Sequence, residues 1–159
     1  MNIRNEFKKI DNSSINESNY PLNTDDLKAI INEDHTDTIE SGYAGTIFAS
    51  DKDNFSWLIF KDVEDHIDGQ GFSSIYLIQG NGSFYYDYID IKMNIGDIFI
   101  FSDNIEHGFE TKEECIALNI SWGKHNPSEK EVINQIKNCI EITQKHIDSL
   151  KPVSTFKIR

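Results

Sequence analysis

The stretch of sequence that decides the fold runs from His66 to His107 and reads HIDGQGFSSIYLIQGNGSFYYDYIDIKMNIGDIFIFSDNIEH. It contains four short runs rich in β-branched and aromatic residues, at positions 72–78, 82–88, 89–93 and 97–101. Runs of this length and composition are typical of β-strands, and the Gly, Asn, Asp and Ser residues between them are typical of turns. The stretch therefore predicts consecutive strands joined by short connections, with no helix between them.

The same texture continues on both sides of this stretch, in runs at positions 45–49, 55–60 and 115–122. Seven or eight short strands with no intervening helix favour an antiparallel sandwich or barrel over alternating α/β units. The predicted fold class is therefore all-β with flanking helices, built on an antiparallel barrel.

Helices are predicted on both sides of the barrel. Thr24, followed by Asp25 and Asp26, is typical of an N-cap and an acidic first turn, and predicts a short helix that ends near residues 32–35. Beyond the strands, Ser128 and Glu131 form the Ser-x-x-Glu pattern of a capping box. The apolar residues that follow predict a helix at about 129–150, whose apolar stripe must be buried against the barrel or against a second chain.

Three segments follow from these patterns. Residues 1–42 form an N-terminal arm and a short helix, residues 43–123 form the barrel, and residues 124–159 form a C-terminal helix packed on the barrel or on a dimer partner. A small barrel with an apolar helix exposes more apolar surface than one such fold easily buries. We therefore expect a homodimer.

The charge of the chain excludes several classes of partner. Fifteen Lys and Arg against 27 Asp and Glu give a net charge of −12, which repels phosphate backbones and anionic lipids. The apolar runs are far shorter than the ~20 residues that span a bilayer, and the first residues lack the apolar stretch of a secretion signal. We expect no nucleic-acid or membrane partner, a cytoplasmic location, and reduced, buried thiols at Cys115 and Cys139.

The spacing of residues within the central stretch resembles the two motifs of the cupins. The first motif, G-x5-H-x-H-x3,4-E-x6-G, aligns with the sequence that ends at Gly80, and the second, G-x5-P-x-G-x2-H-x3-N, with the sequence that begins at Gly96. The positions that keep the family residue are His66, Gly80, Gly96 and His107, and those that depart from it are Phe60, Asp68, Ser73, Ser102, Asn104 and Thr111. The resemblance covers about residues 43–122 and implies the jelly-roll barrel of the cupins.

The resemblance also implies a metal site. In the cupins, three His and one Glu converge inside the barrel on one divalent metal ion, and the matching positions here are His66, Asp68 and His107, with Ser73 in place of the Glu. Two imidazoles and one carboxylate form the facial set that leaves coordination positions open in non-haem Fe(II) oxygenases. Alternation along a strand is expected to put residues 66 and 68 on one face. We expect one divalent metal ion (Fe, Mn, Ni or Zn) in an enzyme of oxygenase or isomerase type.

Two other interpretations stay open, in which the pocket holds a small molecule without a metal. A tyrosine beside a histidine acts as acid and base in the deoxysugar epimerase branch of the cupins, and the central stretch offers Tyr76, Tyr85, Tyr86 and Tyr88. Residues 75–122 also resemble the ligand-sensing domain of arabinose-regulator-type transcription factors, which implies a non-catalytic module that acts through a protein partner. Ser73 and Tyr86 are the predicted contacts to the substrate or ligand, whose identity the sequence does not reveal.

Overall fold

A computed structural model describes residues 7–10, 15, 22–39, 42–45 and 54–150 of the chain. Strands make up most of this part, with one helix before the main body of strands and one after it. In chain order the elements are β1 (Phe7–Ile10), α1 (Thr24–Asp34), β2 (His35–Ile39), β3 (Gly42–Gly45), β4 (Phe55–Phe60), β5 (Val63–His66), β6 (Phe72–Gln79), β7 (Gly82–Tyr86), β8 (Ile89–Met93), β9 (Ile98–Ser102), β10 (His107–Thr111), β11 (Cys115–Gly123) and α2 (Glu129–Leu150).

The described strands form two antiparallel sheets. The larger sheet has the order β1-β9-β6-β11-β4-β3-β2, and the smaller has the order β5-β10-β7-β8. Consecutive strands in the chain alternate between the sheets at several points, which is the arrangement of a jelly roll. The prediction of an antiparallel jelly roll with a C-terminal helix is confirmed, with the strands paired as two sheets.

Five strands were not predicted from the sequence. These are β1, β2, β3, β5 and β10, of which β3 shares only Gly45 with a predicted run, and the residues of β5 are largely polar and exposed. Short polar strands of this kind form because a neighbouring strand offers hydrogen-bonding partners, and their own composition contributes little. The predicted run 82–88 is shorter in the structure, because Asp87 and Tyr88 adopt positive φ angles of 52° and 66° and form a two-residue hairpin turn between β7 and β8. The predicted run 45–49 lies outside the described residues except for residue 45.

The larger sheet is buried on both faces. One face packs against the smaller sheet in a core that includes Phe60, Leu77, Phe84, Phe99, Phe101 and Cys115. The other face packs against α2 and α1, through residues such as Trp57, Ile59, Leu118, Leu27, Val132 and Ile136. Burial on both faces explains why β9 is apolar at four consecutive positions, where a sheet with one solvated face alternates apolar and polar residues.

Helix α2 buries its apolar stripe against this chain's own larger sheet. Its buried residues are Val132, Ile136, Cys139, Ile140, Thr143 and Ile147. Of the two alternatives left open by the sequence, packing on the barrel is the one observed. The expectation of a homodimer loses its main argument and stays a prediction, as do the segment boundaries at residues 42 and 123.

Two further expectations concern the thiols and the membrane. Cys115 and Cys139 are buried thiols outside any disulfide, as predicted, and burial raises the pKa of the Cys115 thiol to about 11. Neither helix of the described residues is long and apolar enough to span a bilayer.

A buried hydrogen bond fixes α2 on the sheet. The Trp57 indole Nε1–H donates to Thr143 Oγ1 at 2.9 Å, and the Thr143 hydroxyl donates to the carbonyl of Cys139 at 2.7 Å. Both side chains are fully buried. We predict that Thr143→Val lowers the free energy of unfolding by ~1–3 kcal/mol, because the buried indole N–H loses its acceptor. Urea denaturation measures this loss.

The control for this variant is Thr143→Ser, which keeps the hydroxyl and both hydrogen bonds. It removes one methyl group, at a cost of about 1 kcal/mol. A Val variant as stable as the wild-type protein would contradict this account of how α2 is held.

The capping box at the start of α2 is present as predicted. Ser128 Oγ accepts a hydrogen bond from the Glu131 backbone N–H at 3.1 Å, and the Glu131 carboxylate accepts one from the Ser128 N–H at 2.8 Å. We predict that Ser128→Ala lowers stability by about 1 kcal/mol, or about 2–4 °C in melting temperature for a chain of this size. Ser128→Asp keeps a capping oxygen and is the control, so equal melting temperatures for the Ala and Asp variants would refute the assignment.

Candidate metal and ligand site

The two histidines predicted as ligands are paired across neighbouring strands. In the antiparallel pairing of β5 with β10, His66 lies opposite His107, and the ring centroids are 4.5 Å apart. The register shifts between His107 and Phe109, so β5 follows β10 for only a short distance. The position of His66 therefore depends on this short pairing.

Gly108 allows β5 to approach β10 at this point. A Cβ atom at position 108 would lie 2.7 Å from the carbonyl oxygen of Val63 and against the carboxylate of Asp65. Contacts this close with backbone require the strand to shift. A glycine beside His107 is thus what lets His66 reach the neighbouring ring.

Backbone carbonyl groups fix the orientation of both imidazoles. His66 Nδ1 lies 2.8 Å from the carbonyl oxygen of Glu64, and His107 Nδ1 lies 2.7 Å from that of Ile105. Because a carbonyl oxygen only accepts hydrogen bonds, each Nδ1 carries a proton and donates it. In the neutral tautomer, each Nε2 then has a free lone pair.

Both Nε2 atoms point at the carboxylate of Asp68. The distance from His66 Nε2 to Oδ1 is 3.5 Å, and that from His107 Nε2 to Oδ2 is 3.4 Å. One ligand atom from each of the three residues lies within 4.8 Å of the others. Asp68 is not on a strand with His66, as alternation had suggested: β5 ends at His66, and the carboxylate comes from the loop that follows.

Burial and charge differ across the three residues. The His107 side chain is 4% exposed, whereas those of His66 and Asp68 are 40% and 46% exposed. The three residues therefore lie at the protein surface, and His107 is the most deeply buried of them. The hydrogen bond with Asp68 raises the pKa of His66 to about 9. The interactions with His107 and then His66 hold the pKa of Asp68 well below its usual range.

A cavity of about 180 Å³ extends from these residues into the space between the two sheets. Apolar side chains line one part of it, namely Leu58, Phe60, Val63, Ile75, Phe101 and Phe109. Polar side chains line the rest, namely His66, Asp68, Gln70, Ser73, Asp103, His107, Asn119 and Ser121. The cavity can therefore hold a small molecule with an apolar body and a hydrogen-bonding end.

Of the two predicted ligand contacts, Ser73 is among the residues that line the cavity and Tyr86 is not. Ser73 lines the cavity, and its hydroxyl donates to Asp103 at 3.2 Å. Tyr86 lies directly opposite His107 in the pairing of β7 with β10, but its side chain is fully buried, and its hydroxyl lies 3.3 Å from both the N–H and the carbonyl of Ser102. Among the described lining residues there is no tyrosine, and the epimerase interpretation stays a prediction.

Four polar residues of the cavity lining were missed by the sequence analysis, namely Gln70, Asp103, Asn119 and Ser121. Asp103 lies in the loop between β9 and β10, and no motif marks it. Asn119 lies on β11, where it follows Ala117 and precedes Ser121 on the same face. A polar side chain at an inward position of an apolar strand was a signal that could have indicated Asn119.

The sequence matches no protein-family model and no curated protein, but several solved structures resemble the chain. A cupin-2 domain-containing protein from Shewanella frigidimarina is 14% identical, and the match covers 67% of this chain and 100% of that one at a TM-score of 0.46. An RmlC-like cupin protein from Desulfovibrio desulfuricans is 18% identical, with 57% and 83% covered at a TM-score of 0.41. Salicylate 1,2-dioxygenase from Pseudoaminobacter salicylatoxidans is 10% identical, with 63% and 32% covered at a TM-score of 0.47.

The chain's own strand order and its last helix make the fold an antiparallel jelly roll with a C-terminal helix. The likeness to the solved structures is one of fold, and what the site can do depends on the residues of this chain.

Proposed function

We propose that the chain binds one divalent transition-metal ion through His66, Asp68 and His107, and binds a small molecule beside it in the cavity. The observation that carries the proposal is the orientation of the two imidazoles. Each is held by a backbone carbonyl at Nδ1 so that Nε2 faces the same carboxylate. Fixing the ring through its other nitrogen is the usual support of a histidine metal ligand.

With both imidazoles neutral, the three facing groups are all acceptors, and this favours a cation between them. With Nδ1 protonated, a neutral imidazole offers only a lone pair at Nε2, and the ionised Asp68 also only accepts. Without a metal ion, a proton on His66 supplies the positive charge, in line with the pKa of about 9. Two nitrogens and one carboxylate oxygen suit Fe, Mn, Ni or Zn, so the donor set fits the ion that the cupin resemblance implies.

The cavity would bind the small molecule of the proposed function. A bound metal ion would provide open coordination positions for dioxygen activation or Lewis acidity for isomerisation. The chain's own residues would hold the ligand: the apolar side chains around Phe101 and Phe109 exclude water from its body, and Asn119 and Ser121 offer hydrogen bonds to its polar end. A volume of about 180 Å³ restricts the ligand to a small molecule.

A metal-free ligand-binding module is the second candidate function. It is favoured by the ion pair between His66 and Asp68, which satisfies the carboxylate without any metal ion. In this case the pocket would serve as a sensor of a small molecule, and the histidines would contribute hydrogen bonds only.

Metal binding separates the two functions. We predict that protein purified without chelator binds one Fe, Mn, Ni or Zn ion per chain by isothermal titration calorimetry, and that His66→Ala and His107→Ala each abolish stoichiometric binding. Circular dichroism should show that both variants stay folded. The control is His125→Ala, because His125 is an exposed imidazole that pairs with Glu131 outside the cavity.

The opposite result would support the metal-free module. A wild-type protein that binds no divalent ion, together with His66→Ala and His107→Ala variants that melt several degrees lower, would show that the imidazoles serve as hydrogen-bonding groups. Loss of a buried partner costs ~1–3 kcal/mol in that case.

A further inference from the structure

Asp103, in the loop between β9 and β10, carries a buried carboxylate that contacts the loop bearing Asp68. The residue is only 2% exposed. Oδ1 accepts hydrogen bonds from the backbone N–H groups of Gln70 and Gly71, at 2.7 and 2.8 Å. Oδ2 accepts a third from the Ser73 hydroxyl at 3.2 Å. The carboxylate is therefore occupied by donors from one short segment of chain.

The backbone of Asp103 binds the same segment. Its carbonyl oxygen accepts from the N–H groups of Asp68 and Gly69, at 3.0 and 3.2 Å, and its N–H donates to the carbonyl of Gly71 at 2.6 Å. One residue thus contacts every position from 68 to 71 by a main-chain or side-chain hydrogen bond. No other described residue makes so many bonds to this loop.

Loop 67–71 lies outside the strands, so no strand pairing fixes its conformation. Other hydrogen bonds must do so. Asp68 lies beyond the end of β5, and its carboxylate is about half exposed. Gly69 and Gly71 adopt φ angles of +70° and +122°, and glycine loses the most conformational freedom on being fixed. Without fixed partners, this segment has many conformations in which the Asp68 carboxylate does not face the two imidazoles.

We infer that Asp103 is a positioning residue that holds loop 67–71 so that the Asp68 carboxylate faces both Nε2 atoms. The inference rests on the proposed metal site and adds the element that assembles it. Asp103 acts through Asp68, because its own two oxygens are already occupied by Gln70, Gly71 and Ser73. Partners that orient a metal ligand typically change metal affinity by ~10–100-fold when they are removed.

The test compares the affinity of Co²⁺ for a set of variants, with the visible absorption of the bound ion as a report of its ligand geometry. We expect Asp103→Ala to weaken binding by ~10–100-fold and to change the spectrum. Asp103→Asn should restore most of the affinity, because its amide oxygen can still accept from Gln70 and Gly71 while its NH₂ group donates to Ser73 Oγ. Thr143→Val, which is destabilised far from the cavity, should bind Co²⁺ as the wild-type protein does.

The outcomes distinguish this inference from the proposed function. If the wild-type protein binds Co²⁺ and Asp103→Ala binds it equally well, the positioning role is overturned and the metal site stands. If the wild-type protein binds no Co²⁺, the proposed function is overturned and this inference with it. A loss of affinity as large in Thr143→Val as in Asp103→Ala would also overturn it, since general destabilisation would then explain the effect.

A second variant covers the case in which Asp103→Ala does not fold. Ser73→Ala removes one of the three donors to the Asp103 carboxylate and leaves the two backbone donors in place. Because this bond orients the Asp103 carboxylate towards the N–H groups of Gln70 and Gly71, we expect a smaller, few-fold loss of Co²⁺ affinity, and an unchanged affinity in this variant would overturn the inference.

Discussion

The short pairing of β5 with β10 is the interaction on which the site depends. It sets His66 opposite His107, and β10 is itself fixed on its other side by its pairing with β7 over five positions. Gly108 gives β5 the room to approach. Because the strand that carries His66 is short, polar and exposed, its position is set by this pairing and very little by its own apolar packing.

The other residues of the site come from a loop and from strands of the larger sheet. Asp68 comes from a loop that Asp103 ties to the end of β9, and Ser73 at the start of β6 joins the same network. The larger sheet supplies part of the cavity wall through Asn119 and Ser121 of β11, whereas Ala117 of the same strand packs in the core between the sheets. The candidate metal and ligand residues therefore lie where the smaller sheet meets the larger, doubly buried sheet.

The sequence predicted best what depends on local patterns. The apolar runs of β4, β6, β9 and β11 follow from burial of the larger sheet on both faces, and α2 follows from the capping box at Ser128. The motif spacing identified His66 and His107 as candidate ligands, although several residues between them depart from the cupin pattern. Strands β5 and β10 were missed because partners across the sheet stabilise them. Asp103 and the loop position of Asp68 were missed because they depend on hydrogen bonds between loops some 30 residues apart. Such bonds produce no periodic pattern of apolar and polar residues in the sequence.

The central claim is that two imidazoles and one carboxylate of this chain act together as a set of ligands. X-ray absorption spectroscopy of the Zn²⁺-loaded protein tests it most directly, because the method identifies the type and distance of the ligand atoms. The account predicts two imidazole nitrogens and one carboxylate oxygen from the protein at ~2.0–2.2 Å. A sphere that contains sulfur, or fewer than two imidazoles, would contradict it.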